Sequence, residues 1–310
     1  MKTMKDIETN PAHLFGGIEG GGTKFICAIG TAPDDIRAEV RIPTTTAKET
    51  LTGAIQFFQK QEKMLGKLEG IGIATFGPLD LTPDSPTYGQ ILPTTKPEWS
   101  GADLLGMLRN AFDLPIGLDT DVNGAALSEH LWGAAQRLNT FLYLTIGTGI
   151  GGGAFVEGKL IHGLLHPEMG HIPLPHNHVR DPFEGMCLFH KDCFEGLASG
   201  PAMEKRWGQP AEELPDNHPA WELEAEYIAQ ALTGYIYTLS PQRIIIGGGV
   251  GSNLHLLKAV REKTRALVNG YLSSKTISEG IDSYIISPAL GNRSGVLGAI
   301  ALGMEAREKR

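Results

Sequence analysis

One short stretch of the chain concentrates side chains that bind metals and transfer protons. The segment "HPEMGHIPLPHNHVRDPFEGMCLFHKDCFEG", residues 166–196, holds histidines, carboxylates and two of the three cysteines. Within it, Cys187, His190 and Cys193 form the pattern C-x2-H-x2-C. Sulfur and nitrogen ligands at this spacing can converge on one ion, and zinc favours a tetrahedral set of such ligands. The pattern therefore predicts a zinc site, against the simpler interpretation of two reduced cysteines beside a surface histidine.

A fourth zinc ligand has to come from outside the C-x2-H-x2-C pattern. His171, His176 and His178 are all within reach of the same loop. His171 is further marked by Glu168, three residues before it in "HPEMGH", because a carboxylate and an imidazole on one face could both meet a polyhydroxylated ligand. A zinc-bound His171 would keep its other ring nitrogen for a sugar hydroxyl. We therefore expect the metal to shape a loop that holds substrate.

A second candidate for chemistry is the acidic segment "LDTDVNGAALSE", where a predicted strand runs into a predicted helix. Transfer of a phosphoryl group to an alcohol needs a carboxylate that accepts the hydroxyl proton. Asp121, at the start of the helix, is the candidate for this base, although an Asp at such a boundary can be only an N-cap. Asp119 lies two residues earlier and is the weaker candidate, because nothing else marks it.

Glycine-rich turns supply candidate phosphate sites. Many of the 40 glycines cluster in "GGGTK" (residues 20–24), "GTGIGGG" (147–153) and "IIIGGGV". The first two turns combine successive backbone N–H groups with a threonine hydroxyl, which suits an oxyanion because no Cβ blocks its approach. One such turn is a weak signal, but two in matching positions, with a third glycine run at 247–249, predict bound nucleotide phosphates. Neither a P-loop nor a dinucleotide fingerprint fits, since no GxxxxGK[ST] occurs and "GGIEGGGTK" opens a strand.

The elements around these segments predict an α/β fold. "HLFGGIEGG" and "KFICAIG" form a hairpin, a helix is predicted from about Ala47 to Leu65, and "GIGIATFGP" and "LPIGLDTD" are predicted strands. "TFLYLTIGTGIGGGAFVEGKLIHG" repeats the hairpin, followed by the helix "WELEAEYIAQALTGYIYTLS", the strand "PQRIIIGGGV" and the helix "SGVLGAIALGMEAREKR". Alternating strands and helices indicate α/β layers. The repetition predicts two similar domains facing each other across a cleft.

Composition narrows the class of protein. The chain has 310 residues, of which 41% are hydrophobic and 20% charged, so it is long enough for two globular domains. A formal net charge of -8 gives no support to a nucleic-acid partner. The sequence shows neither a secretory signal nor an apolar window of about 18 residues that could span a membrane. We therefore expect a soluble, cytoplasmic protein with no membrane partner.

Together, these segments resemble the ROK family (repressors, open reading frames, kinases), and most closely its bacterial fructokinase branch. The resemblance runs from about Gly16 to the last helix and is carried by "GGIEGGGTKF", "FGPLDL", "LDTDVNGAALSE", "TIGTGIGGG", "HPEMGH", "CLFHKDCFEGLASGPAMEKRWG" and "IIIGGGV". It implies two actin-like (ribonuclease H-like) domains around a central cleft. Residues 1–120 plus 292–310 would form the domain with the first phosphate loop, and residues 121–291 the domain with the zinc loop and the sugar-binding residues. It also implies an ATP-dependent hexose kinase that uses Mg²⁺ and forms a homodimer.

The resemblance assigns roles to individual residues. Asp121 is implied to be the catalytic base for phosphorylation of a hexose, with fructose favoured and its 6-hydroxyl as the acceptor. The implied substrate-binding residues are Glu168, His171, Glu195, Gly77 and Asn123. The implied ligands of a structural zinc ion are His171, Cys187, His190 and Cys193. The implied ATP-binding residues are Gly21, Gly22, Thr23, Lys24, Thr145, Gly147, Thr148, Gly149, Gly248 and Gly249.

Two positions depart from the family pattern. Glu19 replaces an Asp before the first glycines, in the place implied to contact hydrated magnesium, and Thr120 replaces an Asn before the base, which alters the hydrogen-bonding partners of the sugar. A mannokinase or glucokinase is therefore the runner-up. A non-catalytic sugar sensor is a further alternative. The presence of Asp121 and of both phosphate loops counts against it. A repressor is not expected, because the first phosphate loop begins by Gly20 and leaves no room for an N-terminal DNA-binding domain.

Overall fold

The computed structural model describes residues 13–310, and these fall into two compact units. The first unit comprises residues 13–137, 160–167 and 292–310, and the second comprises residues 138–159 and 168–291. Residues 121–137 and 160–167 thus belong to the first unit, whereas the sequence-based division assigned them to the second domain. The difference arises because the helix that begins at Asp121 packs against the C-terminal helix of the first unit. The first 12 residues of the predicted N-terminal domain lie outside the described part of the chain.

Strands and helices alternate along the chain. The strands are β1 (Leu14–Gly20), β2 (Lys24–Ala32), β3 (Asp35–Pro43), β4 (Leu68–Thr75), β5 (Ile116–Thr120), β6 (Phe141–Ile146), β7 (Ile150–Val156), β8 (Lys159–Leu160), β9 (Ile244–Gly247) and β10 (Ile285–Ile286). The helices are α1 (Ala47–Leu65), α2 (Leu104–Ala111), α3 (Asp121–Trp132), α4 (Phe194–Ala198), α5 (Gly200–Trp207), α6 (Ala220–Leu239), α7 (Leu254–Val268), α8 (Lys275–Ser278), α9 (Ile281–Tyr284) and α10 (Ser294–Glu308). The predicted α/β class is therefore confirmed.

The two sheets repeat one topology. The first sheet has the strand order β3-β2-β1-β4-β5, in which β1 is antiparallel to β2 and parallel to β4. The second has the order β10-β9-β6-β7-β8, in which β6 is antiparallel to β7 and parallel to β9. When β6 is matched to β1, the two orders are the same. The glycine-rich turns therefore occupy equivalent places, at the β1–β2 and β6–β7 connections.

Helix α1 shows why the sequence patterns were informative. Thr46 is its N-cap and accepts a hydrogen bond from the backbone N–H of Glu49. Leu51, Ala54 and Phe58 recur at helical spacing and are fully buried in the core of the first unit. The helix predicted from about Ala47 to Leu65 is confirmed at both ends.

The first unit is built around α10, which packs against β1, β4, β5 and α3. Val296, Ile300 and Met304 on this helix are buried. At Gly298, an added Cβ would lie 2.1 Å from the backbone carbonyl carbon and oxygen of Gly124 on α3. Only glycine permits this approach of the two helices. The contact fixes α3, and with it the position of Asp121 at the start of α3, against the sheet.

Within residues 13–310, every helix is too short or too polar to cross a bilayer.

Candidate active site and metal centre

The first glycine turn is held in shape by hydrogen bonds from the segment after β3. The backbone N–H of Gly21 donates to the carbonyl of Lys24 at 3.0 Å, which closes the β1–β2 turn. Thr44 donates twice, from its N–H to the carbonyl of Thr23 at 3.0 Å and from its hydroxyl to the carbonyl of Gly21 at 2.8 Å. Gly22, Thr23 and Lys24 are exposed. The turn therefore presents the predicted phosphate-binding residues to solvent on a braced backbone.

A lysine that the sequence analysis missed lies beside this turn. The Lys96 ammonium donates to the carbonyl of Gly22 at 3.0 Å and lies 5.7 Å from the ring centroid of Phe76. A cation at this place favours a phosphate or a transferring phosphoryl group at the turn. Lys96 stands in "TTKPEW", far from the turn in sequence, and no phosphate-binding motif marks it.

Glu19, at the end of β1, carries a carboxyl group that lacks a hydrogen-bond partner at one oxygen. Its Oε2 is buried with no partner among the described residues. Burial, and next the like charge of Asp121, raise the pKa of Glu19 to about 7, while Lys24 acts in the opposite direction. Two carboxyl groups that repel each other, one with an unpartnered oxygen, fit a site for a hard cation with oxygen ligands such as Mg²⁺.

Asp121 is the first residue of α3, and Thr120 is the N-cap. The Thr120 hydroxyl accepts from the backbone N–H of Asn123 at 3.2 Å, so the interpretation of Asp121 as only an N-cap is wrong. Asp121 Oδ1 accepts from the N–H of Val122 at 2.9 Å, and burial raises the pKa of Asp121 above its ordinary value. A raised pKa makes this carboxylate a better proton acceptor near neutral pH.

The environment of Asp119 suits a structural role rather than a catalytic one. Its side chain is buried, and Oδ1 accepts from the backbone N–H of Thr120 at 2.8 Å and from Asn123 Nδ2 at 2.7 Å. Its other oxygen lies 2.9 Å from His162 Nε2, and this hydrogen bond is the main reason that the pKa of His162 is raised. Asp119 therefore holds the strand-to-helix turn on which Asp121 sits. No sequence pattern marks His162 as a partner of Asp119, because it is 43 residues away.

Asn123 and Gly77, both predicted to bind substrate, lie in the first unit. The Asn123 side chain is 1% exposed, and its Oδ1 has no hydrogen-bond partner among the described residues, so this acceptor is available to a ligand. Gly77 lies against the ring of His166, whose Nε2 accepts from the backbone N–H of Leu79 at 3.0 Å. The sugar contacts assigned to both residues stay predictions.

The second glycine turn meets the third within the second unit. The N–H of Gly147 donates to the carbonyl of Gly149 at 2.9 Å, and the N–H of Val250 donates to the carbonyl of Ile146 at 3.0 Å. Gly248 has a φ of 88°, and an added Cβ would lie 2.3 Å from the Ile146 carbonyl oxygen, so this position requires glycine. The structure thus brings together all six predicted nucleotide-binding residues of this unit, on β6 and two adjoining turns: Thr145, Gly147, Thr148, Gly149, Gly248 and Gly249.

Three predicted sugar-binding residues cluster in the second unit. Glu195, near the start of α4, accepts from the backbone N–H of Ile150 at 2.9 Å through Oε2. Its Oε1 lies 4.0 Å from His171 Nε2, and both side chains are about 30% exposed. The N–H of His171 donates to the carbonyl of Glu168 at 3.0 Å, across a short 3-10 turn. Charged and polar groups that converge in this way suit the hydroxyls of a sugar.

Four side chains beside this cluster form a candidate metal centre. His171, Cys187, His190 and Cys193 each offer one ligand atom, and these atoms lie within 4.8 Å of one another. His171 Nδ1 is 3.7 Å from Cys187 Sγ and 3.5 Å from Cys193 Sγ, and His190 Nδ1 is 3.7 Å from Cys187 Sγ. Tetrahedral zinc with Zn–S of about 2.3 Å and Zn–N of about 2.0 Å places sulfur and nitrogen ~3.5 Å apart. The arrangement therefore fits zinc, with His171 as the fourth residue of the set.

Backbone pairing positions these four residues. Cys187 and Lys191 exchange two backbone hydrogen bonds, at 3.1 and 3.0 Å, which folds the segment around His190 into a tight turn. The N–H of Phe194 donates to the carbonyl of Ile172 at 2.9 Å and so holds Cys193 beside His171. His171 then turns Nδ1 to the cysteines and Nε2 to Glu195. One imidazole thus lies between the candidate metal centre and the polar cluster, and the two roles predicted for His171 stay predictions.

The chain is similar to known proteins along almost its whole length. The model of the ROK family matches residues 15–306. The chain belongs to the ROK family. This ROK protein is 44% identical to a fructokinase of Zymomonas mobilis over 309 residues, which cover 97% of this chain and 99% of that protein. It is 42% identical to a fructokinase of Streptococcus mutans over 94% of this chain and 97% of that protein.

Solved structures show the same fold. The crystal structure of a ROK hexokinase from Thermus thermophilus matches this ROK protein with a TM-score of 0.76 and 26% identity, over 96% of this chain and 100% of that chain. A ROK glucokinase from Streptomyces griseus, crystallised with glucose and AMPPNP, matches with a TM-score of 0.71 and 22% identity. The family resemblance and the actin-like fold predicted from the motifs are therefore confirmed.

Proposed function

We propose that this ROK protein is an ATP-dependent fructokinase that transfers the γ-phosphoryl group of ATP to the 6-hydroxyl of fructose. The observation that carries the proposal is its likeness, along nearly the whole chain, to two proteins named fructokinase at 42% and 44% identity. Asp121 and the first glycine turn in the first unit, and the other glycine turns and the polar cluster around His171 in the second unit, each support the same reaction.

Asp121 is the proposed base. Its carboxylate accepts the proton of the attacking hydroxyl as the phosphoryl group arrives, and its raised pKa suits that task. The N-terminus of α3 keeps the carboxylate oriented through the hydrogen bond from Val122. Asp119 takes no proton in this mechanism, because both of its oxygens are engaged by Thr120, Asn123 and His162.

The glycine turns are the proposed nucleotide site. Gly21, Gly22, Thr23 and Lys24 would contact phosphate oxygens, with the Lys96 ammonium beside them, and the turns at 147–149 and 248–249 would hold the rest of ATP. Glu19 would face the magnesium ion that accompanies ATP, which its unpartnered Oε2 supports. Magnesium, when bound, neutralises charge on the phosphate oxygens.

The polar cluster is the proposed sugar site, with Glu168, His171 and Glu195 holding hydroxyls of the hexose. Zinc in the four-residue centre would supply structure rather than chemistry, since four protein ligands leave no coordination position for substrate. It would fix His171 through Nδ1 and so orient Nε2. A homodimer and a cytoplasmic location stay predictions.

The choice of hexose is tested by measuring kcat/KM on a sugar panel. Purified protein with MgATP would be assayed for ADP release with fructose, mannose, glucose and N-acetylmannosamine. We expect kcat/KM to be highest for fructose. A higher value for mannose or glucose would retain the kinase mechanism and reject fructose as the preferred substrate, and no turnover with any sugar would support a sugar sensor.

A further inference from the structure

A second group of possible metal ligands lies near the cysteine centre and shares no residue with it. His176, His178 and Asp192 each offer one ligand atom, and these atoms lie within 4.8 Å of one another. His176 Nδ1 is 3.2 Å from Asp192 Oδ2, and His178 Nε2 is 3.9 Å from the same oxygen. His176 and His178 were alternatives for the fourth ligand of the cysteine centre. Because His171 lies in that position, both are available to a separate site.

The hydrogen bonds of His176 call for a positive charge next to its ring. The side chain is only 2% exposed, and Nε2 lies 3.0 Å from the backbone carbonyl oxygen of Asp181. A carbonyl oxygen can only accept, so Nε2 carries the hydrogen, and in a neutral imidazole Nδ1 is then a bare acceptor. Nδ1 faces the carboxylate of Asp192, which is also an acceptor. The buried Nδ1 and the partly exposed carboxylate are two acceptors 3.2 Å apart, and such a pair is unfavourable unless a cation lies with them.

The carboxylate of Asp181 does not supply the reason for this charge. It lies 3.6 Å from His176 Nε2, but it already accepts hydrogen bonds from Arg206 Nε at 3.2 Å and from the Tyr227 hydroxyl at 2.6 Å. Its negative charge is therefore balanced by the guanidinium. The unbalanced acceptors are Nδ1 of His176 and the carboxylate of Asp192.

A proton or a metal ion could supply the charge, and the geometry favours the metal. A proton on His176 would satisfy only the pair with Asp192, whereas a metal ion would also use His178, whose ring centroid is 4.0 Å from that of His176. Histidines that bind metals usually donate their second N–H to a backbone carbonyl or carboxylate, as His176 does to Asp181. We propose that His176, His178 and Asp192 bind a divalent transition-metal ion, at a site separate from the cysteine centre.

The distances fit an ion of the zinc class. Bonds of about 2.0–2.2 Å from zinc to nitrogen and oxygen place two tetrahedral ligand atoms ~3.4 Å apart. The 3.2 Å between His176 and Asp192 agrees, and the 3.9 Å to His178 shortens readily because that side chain is 63% exposed. Two imidazoles and a carboxylate suit zinc, cobalt or nickel, and leave a coordination position for water. The ion would tie residues 176–178 to Asp192, next to Cys193, and so brace the loop that carries His171.

The proposal is tested by counting zinc ions per chain. Full-length protein would be titrated with Zn²⁺ against a chromogenic chelator, in wild type and in His178→Asn. His178 is exposed, so its substitution leaves the packing intact. We expect two zinc ions per wild-type chain and one per His178→Asn chain. The matched control is His255→Asn, which removes an exposed histidine on α7 and should retain two. Asp192→Asn should behave as His178→Asn does.

Two outcomes would overturn the proposal. One zinc ion per wild-type chain would mean that His176, His178 and Asp192 bind no metal. Two ions per chain in His178→Asn would mean that the second ion binds elsewhere on the surface. Cys193→Ser separates the two sites. If it binds one ion fewer than the wild type while His178→Asn binds the same number, the cysteine centre is supported and only the second site is rejected.

Discussion

Two carboxyl groups only two residues apart, Asp119 and Asp121, are held in different ways. Asp119 accepts from Thr120 and Asn123 and pairs with His162, so its charge is fully engaged. Asp121 accepts from backbone N–H groups at the start of α3, among them that of Val122, and burial raises its pKa. The difference supports Asp121 as the base, since a carboxylate with free acceptor capacity can take a proton from a substrate.

Replacing Asp121 with asparagine tests this role. We expect Asp121→Asn to lower kcat by about 10²- to 10⁴-fold, the usual contribution of a general base, while the fructose Kd measured by calorimetry stays within a few-fold of the wild type. The matched control is Asp113→Asn, an exposed aspartate of the first unit, which should retain full kcat. Wild-type turnover by Asp121→Asn would remove Asp121 as the base.

Glu19 should make stability depend on pH. Its pKa is about 7 in the folded chain against an ordinary value of 4.5, so below pH 4.5 the group is protonated in both states and has no effect. Between pH 4.5 and 7 the unfolded chain loses the proton first, and folding becomes less favourable, by up to about 3 kcal/mol above pH 7. Glu19→Gln should therefore be more stable than the wild type above pH 7 and equal to it below pH 4.5.

Thermal unfolding without added magnesium at both ends of this pH range measures the effect. Glu98→Gln, which changes an exposed glutamate, is the control and should follow the wild type at every pH. A Glu19→Gln chain whose Tm differs from that of the wild type by the same amount at low and high pH would contradict the raised pKa.

Substitution of Cys193 tests the four-residue metal centre. Cys193→Ser removes one sulfur ligand, so we expect the purified protein to lose the zinc ion of that centre and to unfold at a lower temperature, because metal binding contributes to folding. Metal analysis by mass spectrometry measures the first effect and calorimetry the second. Cys27→Ala, a buried cysteine of the first unit, should retain its zinc. A native protein that holds no zinc in this centre and is fully active would count against a structural zinc.

At the scale of elements, the close crossing of α3 and α10 supports the start of α3. Gly298→Ala would place a methyl group 2.1 Å from backbone atoms of Gly124, which cannot move aside as a side chain could. We expect a loss of about 2 kcal/mol or more in the free energy of unfolding, together with a lower kcat because Asp121 shifts. Denaturant unfolding measures the change.

Another helical glycine gives the matched control for this experiment. Gly234 lies within α6, and an added Cβ there would meet no atom within 4 Å. Gly234→Ala should therefore stabilise the protein by about 0.5–1 kcal/mol, because alanine loses less backbone entropy in a helix. Equal effects of the two substitutions would show that the crossing is not tightly packed.

Some elements were predicted well and others were missed, for identifiable reasons. Helix α1 was predicted to both ends because its apolar residues repeat at helical spacing. Strand β3 was not predicted, although Ala38, Val40 and Ile42 alternate with charged residues and pack against the core. Loop length alone left the fourth residue of the candidate metal centre open between three histidines, and only the family resemblance singled out His171.

Contacts between distant parts of the chain could not be predicted from sequence patterns. The role of Asp119 depends on His162, and the environment of the first glycine turn depends on Lys96, and neither partner lies in a motif. The C-x2-H-x2-C pattern, in contrast, places Cys187, His190 and Cys193 within seven residues, so local spacing was enough to predict that their side chains lie together. Motifs close in sequence were thus predictable, whereas the residues that position them were not.

At the scale of the whole molecule, one topology occurs twice. The strand orders β3-β2-β1-β4-β5 and β8-β7-β6-β9-β10 are equivalent, which the repeated hairpin with its glycine turn had indicated. The domain boundary was harder to predict, because α3 follows β5 directly and only its packing on α10 assigns it to the first unit. The base and the proposed sugar-binding glutamates consequently belong to different units.

The central claim is that this ROK protein moves a phosphoryl group from ATP to fructose, and the most direct test is to identify the product. Protein, MgATP and fructose would be followed together by ³¹P nuclear magnetic resonance. The account predicts that fructose 6-phosphate and ADP appear in equal amounts, and that neither forms without fructose. ADP accompanied only by inorganic phosphate, or no ADP at all from folded, zinc-loaded protein, would contradict it.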